Sequence, residues 1–301
     1  MVSRRPLSGL PTIFMPDDFL ALPTAELSRI VKSALHEDLP WGDITSDYLV
    51  PSHARAVARL VVQDDGVVSG LPVAKAVFAF VDPDICFRDC VREASSVPRG
   101  TVAAEAAGPA RSILKAERTA LNLMQRMSGI ATTTAQYVEA VKGTGATIVD
   151  TRKTAPGLRS LDKYAVRCGG GSNHRFSLSD AALVKDNHLA VLGEMPVEEA
   201  LRALRARMPH TTKLEVEVEH IDQIEAVLAG GADIILLDNM SPTVLREAVE
   251  SIRGRALTEA SGGVTLSTVR AVAEAGVNLI SIGALTHSVR ALNISLEMEP
   301  A

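Results

Sequence analysis

Residues 214–219 read Leu214-Glu215-Val216-Glu217-Val218-Glu219, with apolar and acidic side chains alternating. Residues 234–239 read Ile234-Ile235-Leu236-Leu237-Asp238-Asn239, an apolar run that ends in an acid. Both have the length and branched-aliphatic content of β-strands. From Glu217 to Asp238 is about 21 residues, room for one helix and its turns between parallel strands. Working outward, further short apolar runs end near Asp150, Lys185, Glu259 and Ile282, so successive ends fall about 35, 32, 21, 21 and 23 residues apart. Helix-period stretches fill the gaps at 197–207, 221–229, 242–252 and 266–275. Repeated strand–helix units predict a parallel sheet, open or closed into a barrel. About six strands are fewer than the eight of a complete barrel. The reading is α/β, with a barrel-like α/β domain over 143–287.

The N-terminal half has a different texture. Residues 24–38 read as a helix capped by Thr24, with Leu27, Ile30, Val31, Ala34 and Leu35 at helical spacing. Pro40-Trp41-Gly42-Asp43-Ile44-Thr45 reads as a turn. Residues 54–101 carry short β-branched runs broken by Gly66, Gly70, Pro83, Pro98 and Gly100, with one helix near 72–81. A long helix over 111–142 follows. These elements predict a smaller α+β domain over 24–142. Residues 1–23 form an N-terminal arm rather than a signal peptide, since prolines and Asp17-Asp18 interrupt any apolar core.

Composition narrows the function classes. The chain has 301 residues, 47% hydrophobic, with 31 bases against 36 acids and net charge −5, which disfavours general nucleic-acid binding. No apolar run is long enough to span a bilayer. Cys86, Cys90 and Cys168 contain no CxxC pair, arguing against a disulfide scaffold or zinc ribbon, and the expected setting is cytoplasmic.

Nearly every predicted strand ends in a functional group, the place where a parallel barrel gathers its chemistry. Seven bases and four acids between Asp150 and Ala190 make that window +3 and leave the rest of the chain at −8. A cationic cluster in an acidic protein suits a polyanionic small molecule; a solvated basic loop is the plain alternative. Ser261-Gly262-Gly263 and Gly283-Ala284 follow the last two strands, where glycine lets backbone N–H groups approach a phosphate. Glu215, Glu217 and Glu219 share one face of a strand that ought to be apolar. Either they meet Arg152, Lys153 and Lys185 across the mouth, or they hold a ligand hydroxyl or Mg²⁺. Nucleophile elbows, HExxH and dinucleotide fingerprints are missing. Cys168 near His174 reads as a structural cysteine.

The motifs taken together resemble the quinolinate phosphoribosyltransferase family. The matching stretches run in order over 24–298: His36-Glu37-Asp38 to Gly42-Asp43-Ile44-Thr45-Ser46, Glu117-Arg118-Thr119, Asp150-Thr151-Arg152-Lys153-Thr154, Lys163-Tyr164-Ala165-Val166-Arg167, Asn173-His174-Arg175, Lys185-Asp186-Asn187-His188, Glu215-Val216-Glu217, Leu237-Asp238-Asn239, Ser261-Gly262-Gly263 and Gly283-Ala284-Leu285-Thr286-His287. The resemblance implies a type II phosphoribosyltransferase-like fold, an N-terminal α/β (α+β) sandwich, to which residues 288–301 can return, followed by an incomplete α/β barrel. It implies transfer of phosphoribose from phosphoribosyl pyrophosphate to quinolinate, with loss of CO2, in NAD biosynthesis. Magnesium and no organic cofactor go with it, as do a homodimer or higher oligomer and no nucleic-acid or membrane partner.

By the same resemblance Arg118 (from the partner subunit), Arg152, His174, Arg175 and Lys185 hold quinolinate. Lys153, Glu217 and Asp238 are catalytic and, with Ser261, Gly262, Gly263, Gly283, Ala284 and His287, face the phosphoribosyl group. Glu217 and Asp238 are the expected metal ligands, and Lys163 is expected at the phosphates. Asn293 stands where the family commonly has Asp. A relative that accepts nicotinate, and a silent anion-binding subunit, are the alternatives; five retained acceptor-site residues favour a dicarboxylate.

Overall fold

The computed structural model describes residues 22–301, so most of the expected arm lies outside the described residues. The helices α1 (Thr24–Asp38) and α2 (Ile44–Leu49) open the described chain. Thr24 is the first helical residue rather than the cap; Pro23 occupies the cap position and offers no side-chain oxygen. The turn expected over 40–45 runs into the second helix. Asp43 caps it, its carboxylate accepting from the Ser46 N–H, so the turn sequence is a helix start.

Strands β1 (Arg55–Val62), β2 (Gly66–Val67), β3 (Cys86–Asp89), β4 (Ser96–Val97) and β5 (Val102–Pro109) follow, with α3 (Leu71–Val81) after β2. The main antiparallel sheet has the order β12-β1-β5-β3, where β12 (Ile294–Pro300) returns from the end of the chain. Ala58, Leu60 and Val62 of β1 are fully buried against the helical layer. Arg59 points the other way, to Glu105 at 3.2 Å and Glu299 at 3.1 Å. Helix α4 (Ala110–Ala140) is the shared spine. It buries Ile113, Ala120, Met124, Met127 and Ile130, a stripe at helical spacing.

The second unit contains six parallel strands: β6 (Thr147–Val149), β7 (Ala182–Val184), β8 (Leu214–Val218), β9 (Ile234–Asp238), β10 (Leu257–Ser261) and β11 (Leu279–Ser281). Their order is β6-β11-β10-β9-β8-β7, so the first strand pairs with the last and the ring stays open between β6 and β7. Ser172 bridges to Val149 beside that seam. Helices α5 (Arg159–Cys168), α6 (Asp186–Ala190), α7 (Val197–Arg205), α8 (Ile224–Ala229), α9 (Pro242–Ile252), α10 (Val269–Glu274) and α11 (Ala284–His287) lie between or after the strands. No helix among the described residues is long and apolar enough to cross a membrane.

Candidate active site

Strand register sets up the site. Glu215 is level with Leu183 and Ile234, Glu217 and Glu259 are both level with Leu236, and Asp238 is level with Ser261. Because side chains alternate between faces, these positions send acids and hydroxyls to one side of the sheet. There, at the carboxyl ends, lies a cavity of about 470 Å³. Ten of the expected residues line it: Arg152, Lys153, His174, Arg175, Lys185, Glu217, Asp238, Ser261, Gly262 and Gly263.

Its cations are anchored by different means. Lys185 meets Glu217 at 2.6 Å, the ion pair expected across the mouth. Arg175 donates to the Ala181 carbonyl at 3.0 Å. Burial, and then the charge of Arg152, lower the Arg175 pKa, a sign of cations crowded where an anion would relieve them. Arg152 has a buried Nε with no hydrogen-bond partner. Lys153 lays its stem over Gly283, where an added Cβ would stand 3.0 Å from the lysine Cδ.

A buried ion pair supports the Asn173–Arg175 segment from below. Lys163, 2% exposed, pairs with Asp150, so it lies under the site rather than beside the expected phosphates. Asp150 also accepts from Asn173 Nδ2 at 2.6 Å and from the His174 N–H at 2.9 Å. Lys163 donates to the His174 carbonyl at 3.0 Å. Burial raises the Asp150 pKa against the pull of Lys163. Further along, Asp180 is held at about 2: burial opposes its charge, and bonds from Ser177 and the Phe176 and Ser177 N–H groups outweigh it.

His174 has both ring nitrogens engaged inside the protein. Nδ1 accepts from the Arg175 N–H at 2.7 Å, and Nε2 stands 3.0 Å from Glu215 and 3.5 Å from Glu259. Opposite, the loop after β10 is built for close approach. Gly262 has φ +95°, and a Cβ there would fall 2.1 Å from Asn239 Oδ1. Asn239 is itself left-handed at φ 54° and donates from its side chain to Asp238 at 2.6 Å. Two consecutive positive-φ glycines, Gly262 and Gly263, leave backbone amides open to an anion.

The acid pair fits the expected Mg²⁺. Glu217 and Asp238 both face the cavity, and burial followed by the charge of Glu217 raises the Asp238 pKa. Such carboxylates suit a hard cation that keeps waters and takes its remaining ligands from phosphates.

Other expected residues stand apart. Arg118 lies on α4, its side chain 61% exposed, and does not line this cavity. Ala284 and His287 belong to α11 beside Lys153; the His287 ring meets Ser288 Oγ at 2.7 Å. Cys168 is buried with its thiol 3.7 Å from Glu93, a structural position. Thr151, Asn239, Glu259 and Ser281, which have no expected role, also line the cavity. For Glu259 the available signal was its place two residues before Ser261 on the same strand face.

Comparison with known proteins agrees with this architecture. The family model for the quinolinate phosphoribosyl transferase N-terminal domain matches residues 43–128, and that for the C-terminal domain matches 130–297. A nicotinate-nucleotide pyrophosphorylase (carboxylating) of Mycobacterium leprae is 46% identical over 278 residues, covering 89% of this chain and 95% of that one. A probable enzyme of the same name from Bacillus subtilis is 40% identical, covering 91% and 93%. The NadC structure from Streptococcus pyogenes superposes with a TM-score of 0.89 at 38% identity, over 93% of this chain and 99% of that one. By both domain matches and by these relatives, the chain belongs to the quinolinate phosphoribosyltransferase family.

Proposed function

We propose that this chain transfers the phosphoribosyl group of phosphoribosyl pyrophosphate to the ring nitrogen of quinolinate and releases pyrophosphate and CO2, yielding nicotinate mononucleotide for NAD biosynthesis. The observation that carries this reading is one cavity with two characters. Arg152, Arg175 and Lys185 supply its cations, and the Ser261–Gly263 amides with Glu217 and Asp238 supply a phosphate loop and an acid pair. Guanidinium forks grip planar carboxylates bidentately and so aim the ring nitrogen at the ribose C1. His174 lines the same cavity. As pyrophosphate leaves, Glu217 and Asp238 face the growing positive charge at C1. Mg²⁺, held by those two acids and the substrate phosphates, would neutralise charge on the leaving group. Once the ring nitrogen is alkylated it accepts the electrons left by the C2 carboxylate, so decarboxylation needs no organic cofactor.

The working unit is a homodimer with Arg118 completing the quinolinate site across the interface. Trp41, Ile44, Tyr48 and Leu49 form an apolar group, each more than 70% exposed. Lys115 on α4 ties this group to the same helix through Asp47 at 2.5 Å, one turn from Arg118. Such a patch is what a partner subunit covers. The setting is the cytoplasm: Cys86 and Cys90 are exposed free thiols.

The test is product release from quinolinate, phosphoribosyl pyrophosphate and Mg²⁺, with nicotinate as the parallel acceptor. Pyrophosphate and CO2 in equal amounts from quinolinate are expected. Pyrophosphate with nicotinate alone would move the chain to a nicotinate-accepting relative. Arg118→Ala is expected to raise the quinolinate KM by about 10-fold or more, the scale of losing a charged hydrogen-bonding partner, with folding intact. Mixing it with a variant defective in Arg152 should restore activity to one site per hybrid dimer.

A further inference from the structure

Beside the cavity, His174 meets two buried acids that the transfer step does not use. His174 Nε2, Glu215 and Glu259 offer polar atoms within 4.8 Å of one another. Glu215 is 3% exposed and Glu259 1% exposed, and Oε1 of each has no hydrogen-bond partner. The ring separates two readings of this cluster. A histidine that ligates a metal through Nε2 carries its proton on Nδ1 and donates it. Here Nδ1 accepts from the Arg175 N–H, so the ring hydrogen is on Nε2, facing the glutamates. The cluster is built around a proton rather than a metal ion.

Where that proton rests follows from the neighbours. Burial opposes a charged His174, while Glu215 and Glu259 outweigh it and raise the affinity of the ring for a proton. The Arg175 amide nevertheless blocks the second nitrogen, so an added proton goes to a carboxyl. Burial, and then the charge of Glu215, push Glu259 up to about 7, with His174 and Ser281 pulling the other way and Asp150 adding to the rise. Glu259, unlike Glu215, lines the cavity. With its pKa raised to about 7, it can present a carboxylic acid to the cavity up to neutral pH.

We propose that Glu259 supplies the proton that replaces the departing C2 carboxylate. This rests on the transferase reading above. In the alkylated acceptor the C2–carboxylate bond breaks, CO2 leaves with no electrons from that bond, and the pair stays on C2 beside the cationic ring nitrogen. That pair takes the proton of Glu259, and the resulting carboxylate regains one from water. On the acceptor ring, C2 lies between the nitrogen aimed at ribose and the carbon carrying the retained carboxylate. On the protein, Glu259 lies between Ser261 of the phosphoribosyl loop, two residues on, and His174 beside the arginines. CO2 still beside the C2 carbanion recombines with it unless C2 is protonated, so proton delivery sets net CO2 release.

The experiment is rapid quench of the full-length Mg²⁺ enzyme with carboxyl-labelled quinolinate and phosphoribosyl pyrophosphate, following pyrophosphate and CO2 separately. In Glu259→Gln the expected result is a retained pyrophosphate burst, accumulated N-ribosylated dicarboxylate, and CO2 release slowed about 10²–10⁴-fold. Pyrophosphate and CO2 that fall together, or a CO2 step within threefold of the parent, would overturn the proposal. If that variant does not fold, the parent still decides: its CO2 step should slow above about pH 7 without a matching limb in the pyrophosphate step, and a CO2 step flat from about pH 6 to 8.5 overturns the assignment. A parent that releases neither product overturns the transferase reading itself, and this proposal with it.

Discussion

Strands β1 and β8 both place charged residues two or four positions apart among aliphatic ones, and the molecule treats the two patterns in opposite ways. In β1 the charged face is the outer face of the sandwich, where Arg59 reaches Glu105 and Glu299 in contact with water. In β8 all five positions are buried, Glu215 and Glu217 included. An antiparallel sheet covered on one side can leave its charges in solvent, whereas a parallel strand walled in by helices and the ring interior cannot. Burying a carboxylate is costly unless a partner or proton compensates it, and β8 recruits Lys185 for Glu217 and His174 for Glu215. Charge that is expensive to keep marks the strand where the chemistry is done.

That contrast can be broken by substitution. The largest effect is expected at Glu217→Gln: a fall of about 10²–10³ in kcat with an unchanged circular dichroism spectrum, the scale of losing one electrostatic contact to the transition state. A kinetically normal variant would make β8 a structural strand like β1. Next is Gly262→Ala, which places a Cβ on Asn239 at a backbone angle that L-residues avoid. It should cost about 1–3 kcal/mol of stability and raise the phosphoribosyl pyrophosphate KM, read by denaturant titration and steady-state kinetics.

A smaller effect concerns pH. Glu259 is pushed up from its ordinary 4.5 to about 7, so between those values the native state binds more protons than the unfolded chain. Its contribution to stability therefore declines as pH rises through that window and is flat above it. Glu259→Gln should remove this decline, visible as a smaller Tm difference between about pH 5.5 and 7.5. An identical pH dependence in parent and variant would place the shared proton elsewhere. Smallest of all is Arg59→Ala, for which product release and Tm should both stay close to the parent, as for most exposed ion pairs.

The strand ends were legible because hydrophobic runs, their spacing and their terminal acids are local signals. All six parallel strands fall where the spacing placed them, and ten of the expected site residues share one cavity. Non-local partners were not legible. Lys163 reads as a basic group in a basic window, and only pairing with Asp150 beneath the Asn173–Arg175 segment buries it. Glu259 reads as one more polar strand end until His174, 85 positions earlier, is brought against it. Helix α2 was hidden for a different reason: six residues are too few to show a period, and its one local sign, the capping Asp43, sat among turn residues.

The pairing of β12 with β1 has a consequence for how the chain is made. Arg59 and Glu299 are joined across 240 positions, with every barrel strand encoded between them. During synthesis from the N-terminus, β1 emerges early and waits with one edge bare until the final strand leaves the ribosome. Contacts so distant in sequence form slowly, and an uncovered edge invites pairing with another chain. Charged residues such as Arg55 and Arg59 on β1 are of the kind that discourages such pairing before the finished enzyme forms.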